Sequence, residues 1–307
     1  MKYGKVFSHE LEHLDLSLPP DHSDTIKAFK SKKNNPVKVH VGCAKWGIKE
    51  WVGLIYPRNT KDKFFLDQYV KNFNGIEMNT TFYSIKKENV ENWASRAPDG
   101  FRFSPKFLRS ISHLKRLNDA GYFTDQFLDA AEAFGEKLGP SFLQLPDNFA
   151  GRQLESLRKY VQDIPDDFPM FVELRHTDWF TDPAIFDETF TMMAEQKRGV
   201  VLTDVGGRRD VLHMRLTVPK VFIRFNGYNL HPSDYQRLDE WVQRIKYWIQ
   251  NGLEELYFYA HQEDETHTPV TCDYFIKKIN EACNLNIARP DFVTDNAGMP
   301  GTLFPDI

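Results

Sequence analysis

Phe171-Val172-Glu173-Leu174-Arg175-His176-Thr177-Asp178-Trp179 is a short apolar run that ends in a burst of charge. Side chains alternate along a strand, so Glu173 and Arg175 share one side. A near-continuous apolar run reads as a strand buried on both faces, as in a parallel sheet. The same pattern recurs along the chain, with runs at 37–42, 75–79, 101–106, 141–144, 170–174, 200–204, 221–225 and 256–259. At or just past their ends stand Trp46, Glu77 with Asn79, Lys106, Gln144, Glu173 with Arg175 and His176, Asp204, Arg224 with Asn226, and His261. Amphipathic segments follow most of them. Phe65, Tyr69 and Phe73 recur at helical spacing, as do Val90, Trp93, Ala94 and Ala97, and Leu238, Trp241, Val242, Ile245, Trp248 and Ile249 form a wide stripe. Eight such units predict an α/β TIM (β/α)8 barrel, whose chemistry gathers where the strands exit. Between strands six and seven, Gly206-Gly207-Arg208-Arg209 leads on without an amphipathic pattern, so that helix is expected to be shortened or missing.

A chain of 307 residues suits one such barrel. The expected division is a polar N-terminal arm over 1–35, read as a flexible lead-in, a barrel over 36–283, and an extended tail over 284–307 packed on the barrel through Phe292, Leu303 and Phe304. A formal charge of −4 gives no global pull toward nucleic acid, so anion binding has to come from a local cluster. Cys43, Cys272 and Cys283 match neither a zinc spacing nor an even disulfide set. With no export signal and no apolar stretch of roughly 20 residues, the expectation is a cytoplasmic protein with no membrane segment.

Three clusters carry candidate chemistry. Glu173, Arg175 and His176 offer a base, an anion clamp and a titratable acid within one strand exit, with Trp179 on the loop beyond. The alternative is a structural ion pair of Glu173 with Arg175 and a packing role for Trp179. Glu77 and Asn79 share a face ahead of Thr80, Thr81 and Tyr83; they orient substrate, or they hydrogen-bond one another to close a tight loop. The segment from Arg102 to Arg116 holds Lys106, Arg109 and His113 and no acidic residue, which makes a local anion site of Lys106 and His113. Glu77, Glu173, His176, Asp204 and His261 form the one set able to converge on a divalent metal. No metal-binding spacing supports it, and Lys106, Arg175 and Arg224 place competing charge nearby. No dinucleotide or phosphate-loop glycine pattern is present, so no cofactor is expected.

The same residues carry a family resemblance. Gly42-Cys43-Ala44-Lys45-Trp46 with Trp51 and Tyr56-Pro57, then Glu77 through Tyr83, Trp93, Phe101 through Lys106, Ser112-His113, Gln144-Leu145-Pro146, Val172 through His176 and Trp179 resemble the YecE-like family, also called domain of unknown function 72. The resemblance spans about residues 37–283 and implies a TIM-like fold with no established activity. This chain departs from the family pattern at Cys43-Ala44-Lys45, where Thr-Ser-Gly is usual, at Asn226, where histidine is usual, and at Ala260-His261, where an asparagine pair is usual.

The leading functional expectation is a hydrolase or lyase acting on a small or polymeric anionic substrate, with phosphate-containing compounds among the candidates. Lys106, His113, Arg175 and Arg224 would bind negative charge, Glu173 would be the general base, and His176 or His113 the proton donor. Trp46, Glu77, Asn79, Tyr83, Gln144, Trp179 and Asn226 complete the substrate site. The rivals are a metal-dependent phosphodiesterase or nuclease, and a non-catalytic nucleotide or nucleic-acid binding protein.

Overall fold

The computed structural model describes residues 4–29 and 36–294. Each expected apolar run is a strand: β1 (Lys38–Cys43), β2 (Gly75–Met78), β3 (Arg102–Pro105), β4 (Ser141–Gln144), β5 (Met170–Glu173), β6 (Gly199–Asp204), β7 (Lys220–Asn226) and β8 (Glu255–His261). Every strand pairing is parallel. The helices are α1 (Ser8–Leu11), α2 (Thr25–Ala28), α3 (Phe65–Asn72), α4 (Lys87–Arg96), α5 (Gly121–Glu132), α6 (Leu154–Gln162), α7 (Asp178–Thr181), α8 (Pro183–Glu195), α9 (Pro232–Gln250) and α10 (Thr268–Cys283). None is long and apolar enough, among the described residues, to cross a membrane.

The result is an α/β fold built on parallel strands. Its backbone ladder is six plus two, β1-β8-β7-β6-β5-β4 and β2-β3, rather than one unbroken ring of eight. Two seams join the ladders. At β3/β4 the backbone still bonds, Gly139 N donating to Phe103 O at 2.7 Å and Phe107 N to Phe142 O at 3.0 Å. At β1/β2 side chains replace the ladder. Asn74 Nδ2 donates to Val39 O and its Oδ1 accepts from Val41 N, both at 2.8 Å. Tyr69 Oη accepts from Cys43 N at 2.7 Å and donates to Gly75 O at 2.9 Å. Gly42 is required at this seam, since a Cβ there would stand 1.9 Å from Gly75 O.

Two large apolar layers lie between strands and helices; in one of them the α9 stripe of Leu238, Trp241, Val242, Ile245 and Trp248 is buried. A third, separate cluster consists of Phe142, Phe171, Val201, Phe222, Tyr257 and Tyr259. These are the alternate residues of β4 to β8, so the strands turn one face toward a common interior.

Between β6 and β7 there is no α-helix, only the 3-10 segment Gly206–Val211 followed by extended chain. Residues 4–29, expected to be a flexible lead-in, are laid over that gap and along α9. Gly207 N donates to Gly4 O, Arg209 Nη2 to Leu16 O and Ser17 O at 2.8 and 2.7 Å, and Thr25 Oγ1 to Met214 O. Arg244 and Trp248 of α9 both donate to Asp21. At the other end, Asp291 N donates to Asn72 Oδ1 and Val293 N to Leu54 O, with Phe292 partly buried on the core. Leu303 and Phe304 lie outside the described residues.

Candidate functional site

The strand exits bring eight polar side chains into one hydrogen-bonded cluster. Arg224 of β7 is at its centre and 2% exposed. Its Nε and Nη2 donate to Glu77 Oε2 and Oε1 at 2.7 and 2.8 Å, while Nη1 donates to Glu173 Oε2 at 2.9 Å. Glu77 also accepts from Asn79 Nδ2 at 2.7 Å and lies 3.2 Å from His261 Nε2. Glu173 also accepts from Arg175 Nε and Gln144 Nε2, both at 2.8 Å. Gln144 Oε1 in turn accepts from Lys106 Nζ at 2.7 Å. Glu77, Lys106, Gln144, Glu173, Arg224 and His261 are all buried.

Alternation explains the convergence. Gln144 is paired with Glu173, Thr203 with Arg224, and Asn226 with His261, and residues paired across parallel strands point to the same face. Lys106 is fixed from behind by Thr81, whose Oγ1 accepts from Lys106 N at 2.8 Å. Its Nζ sits 4.3 Å from the centre of the Phe82 ring, within cation–π range.

The electrostatics separate the two kinds of group. Burial works to raise the Glu173 carboxyl, but Arg175 and Arg224, helped by the Gln144 hydrogen bond, outweigh it and hold it at about 2. Glu77 is held well below the usual carboxylate range against its burial by Arg224 and His261. Lys106 moves the other way. Burial pushes its ammonium down, Arg224 and Arg175 push with it, and the pull of Glu173 leaves it at about 7. Burial likewise lowers His113 to about 4, with Lys106 and Arg175 adding to the effect.

Several expected residues stand elsewhere. Asp204 is on the opposite face of β6 from Thr203, buried against α9, where it accepts from Arg237, Arg209 and Trp241. It therefore does not meet Glu77, Glu173 and His261, and the alternation of the strand is the reason. His176 folds back on its own turn, its Nδ1 accepting from Asp178 N at 3.1 Å. With the Arg224 guanidinium between the two carboxylates, the five residues named for a metal do not form one set. Among the described residues no three His, Cys, Asp or Glu side chains stand together to hold a metal. Trp179, expected at the substrate, is fully buried, donates from Nε1 to Phe149 O at 2.7 Å and stacks on Phe149. It packs the loops after β4 and β5.

Trp46 is partly buried with its edge on Trp93, and Tyr83 is 75% exposed beside Phe82. His113 lies on a π-helical turn, Ser110–Leu114, and its ring meets the same Phe82 face-to-edge at 5.0 Å. Asn226 is buried one step beyond Arg224, its Nδ2 reaching Asp204 O at 3.4 Å. Sequence reasoning missed Phe82, which joins Lys106 to His113, and Thr203, whose buried hydroxyl has no partner. An aromatic next to the hydroxyl-rich 79–81 stretch was the available signal for the first; register with Arg224 was that for the second.

A wider groove of about 740 Å³ lies among Asp166–Phe171, Arg215–Lys220 and their neighbours, at the amino-terminal ends of β5 and β7. Its buried cation, Arg215, is already paired with Asp187 and Asp24 at 2.8 Å each.

Known proteins resemble this chain in sequence and, where solved, in fold. The curated Escherichia coli K12 protein UPF0759 protein YecE is 27% identical over 252 residues, 75% of this chain and 89% of its own length. UPF0759 protein YunF of Bacillus subtilis is 23% identical over 163 residues, half of this chain and 56% of its own. A crystal structure of a DUF72 family protein from Enterococcus faecalis V583 matches 85% of this chain and all of its own with a TM-score of 0.62 at 17% identity. One from Thermotoga maritima MSB8 matches 80% of this chain with a TM-score of 0.60 at 21% identity. The family described as "Protein of unknown function DUF72" matches residues 40–292, and the chain belongs to it.

Proposed function

We propose that the eight strands close as a (β/α)8 barrel and that the cluster at their carboxyl ends is the active site of a hydrolase or lyase for an anionic substrate. Closure is supported by the two seams, where backbone bonds at β3/β4 and the Asn74 and Tyr69 side chains at β1/β2 link the ladders. Barrel enzymes place their sites at this end.

One observation carries the anionic substrate. Lys106 is 7% exposed, yet its Nζ hydrogen-bonds a neutral amide and meets aromatic faces, with no carboxylate paired to it among the described residues. A buried lysine ordinarily has one. Arg224 is taken by Glu77 and Glu173, and Arg175 by Glu173 and, at 3.7 Å, by Asp147, which leaves Lys106 as the cation of the cluster held by an amide. A phosphate or carboxylate group of the substrate supplies the ionic partner for Lys106.

Proton transfer then falls to Lys106 rather than Glu173. A general acid–base group works best with a pKa near the working pH, which Lys106 has at about 7. Glu173, at about 2 and occupied by Arg224, Arg175 and Gln144, holds those groups in place and takes no proton. His113, half-buried beside Phe82, is the neutral partner at the rim.

Titration calorimetry with sulfate and with inorganic phosphate tests the reading. The wild-type protein binds both, and Lys106→Met loses the binding while keeping its fold by circular dichroism. Equal binding by the two proteins overturns it. Turnover is then sought over phosphorylated and carboxylated small molecules, with the same variant as the blank.

A further inference from the structure

We propose that Lys106 is a carbonyl-trapping amine, which condenses at Nζ with an aldehyde or ketone that also bears a carboxylate or phosphate, such as a 2-oxo acid. The inference rests on the anion-binding reading above and names the substrate class for it.

The geometry around Gln144 is the basis. Its Nε2 donates to Glu173 at 2.8 Å and its Oε1 accepts from Lys106 Nζ at 2.7 Å, so an amide is inserted between the amine and the nearest carboxylate. Glu173 fixes which end of that amide faces Lys106. The amine is therefore positioned without being locked into an ion pair. Phe82 and Phe142 line it, with their ring centres 4.3 and 5.8 Å away. Surface lysines of this chain differ. Lys38, Lys45, Lys49 and Lys87 are about half exposed or more and paired with carboxylates. A lysine desolvated among apolar groups and beside other cations is the kind that acts as a nucleophile. Arg175, paired with Glu173 at 2.8 Å and with the exposed Asp147 at 3.7 Å, adds positive potential beside the amine, which favours a compound that carries an anionic group.

The chemistry balances without an outside oxidant or reductant. The lone pair of the neutral amine attacks the carbonyl carbon and gives a carbinolamine. One proton of the attacking nitrogen passes to its oxygen and solvent supplies a second, so the oxygen leaves as water and a C=N⁺ bond replaces the C=O bond. The iminium keeps the positive charge where the ammonium had it, so Phe82 still faces a cation. That charge draws electrons from a bond at the adjacent carbon, and water reverses the adduct by hydrolysis.

The test treats the full chain with glyoxylate, and separately with acetaldehyde, followed by sodium cyanoborohydride and peptide mapping by mass spectrometry. A surface ammonium of pKa about 10.4 exposes far less neutral amine near pH 7, so Lys106 should gain the reduced glyoxylate adduct at least roughly tenfold over any surface lysine. Acetaldehyde, with no anionic group, should show much weaker preference, and sulfate should suppress labelling of Lys106 by glyoxylate. The map is made on the wild-type protein, so it does not depend on a variant folding. Adducts spread over exposed lysines with Lys106 unlabelled overturn the proposal. Should that occur while sulfate binding still requires Lys106, the anion site stands and carbonyl trapping alone falls. Labelling of Lys106 that is indifferent to sulfate keeps the trapping amine and removes the anion site.

Discussion

Arg224 and Glu77 form a two-point pair, at 2.7 and 2.8 Å, although β7 and β2 are not neighbours in either ladder. The third nitrogen of the same guanidinium reaches Glu173 on β5, so one side chain ties three separate strands. The carboxylates that look like catalytic groups along the chain are also the clamps that hold the interior together.

That clamp predicts a stability cost. Removing one partner of a buried pair leaves an uncompensated charge, worth about 3–5 kcal/mol. Arg224→Met and Glu77→Leu should each fall in that range by urea unfolding, because each strands a charge. Replacing Arg224, Glu77 and Glu173 together by apolar residues of similar volume should cost less than Arg224→Met alone. A single replacement without effect would mean that the pair bears no load.

Lys106 sets a pH dependence for anion binding. Its amine is charged below about 7 and neutral above, so sulfate affinity should fall as pH rises through neutrality. Sulfate has no titration of its own in that range. His113, lowered to about 4, is neutral throughout and should not contribute. Calorimetric titrations at pH 6 and pH 8 decide the point; a flat profile argues for Arg175 as the sole anion contact.

Glu173 sets a second dependence, on the acid side. Its folded-state pKa of about 2 lies below the ordinary value of about 4.3, so the unfolded chain binds the proton more readily. The stability it contributes is whole above the ordinary value and is lost as pH falls toward about 2. Glu173→Gln should be less stable than wild type at pH 7, and the gap should close as pH is lowered through that window. Unfolding curves at pH 7, 4 and 3 measure it.

Asp204 should behave as a structural residue. It is fully buried on three donors from Arg237, Arg209 and Trp241. Asp204→Asn keeps the size but loses the charge facing two guanidinium groups, and should lower the melting temperature markedly. Sulfate affinity at a temperature where the variant is folded should be unchanged. A loss of affinity would return Asp204 to the site.

Much of this layout is legible from residue order, and the reasons are local. Glu77, Lys106, Gln144, Glu173 and Arg224 stand at the ends of apolar runs, and strand periodicity fixes their face. The same rule separates Asp204 from them, since the inward residue of β6 is Thr203. Pairing is less legible: nothing in the spacing says that Arg224 takes Glu77 and Glu173 at once, or that Gln144 stands between Glu173 and Lys106. Those contacts join positions up to 147 residues apart and depend on packing in three dimensions. Nor does a polar N-terminal stretch disclose its docking. Several of its anchors are backbone carbonyls, of Leu16, Ser17 and Pro19, which every sequence has, and the side-chain anchors Asp21 and Thr25 are residue types common on any surface.

The docking of residues 4–29 matters for anyone who shortens this protein. Leu212, Met214 and Leu216 are buried where α-helix is lacking between β6 and β7, and Thr25 and Leu216 hydrogen-bond across that join. A recombinant form begun at β1 would bare this greasy strip and take two backbone acceptors from Arg209, one of the partners of Asp204. Its first symptom would be clumping during purification, with the polar cluster at the far ends of the strands untouched until the scaffold itself gives way.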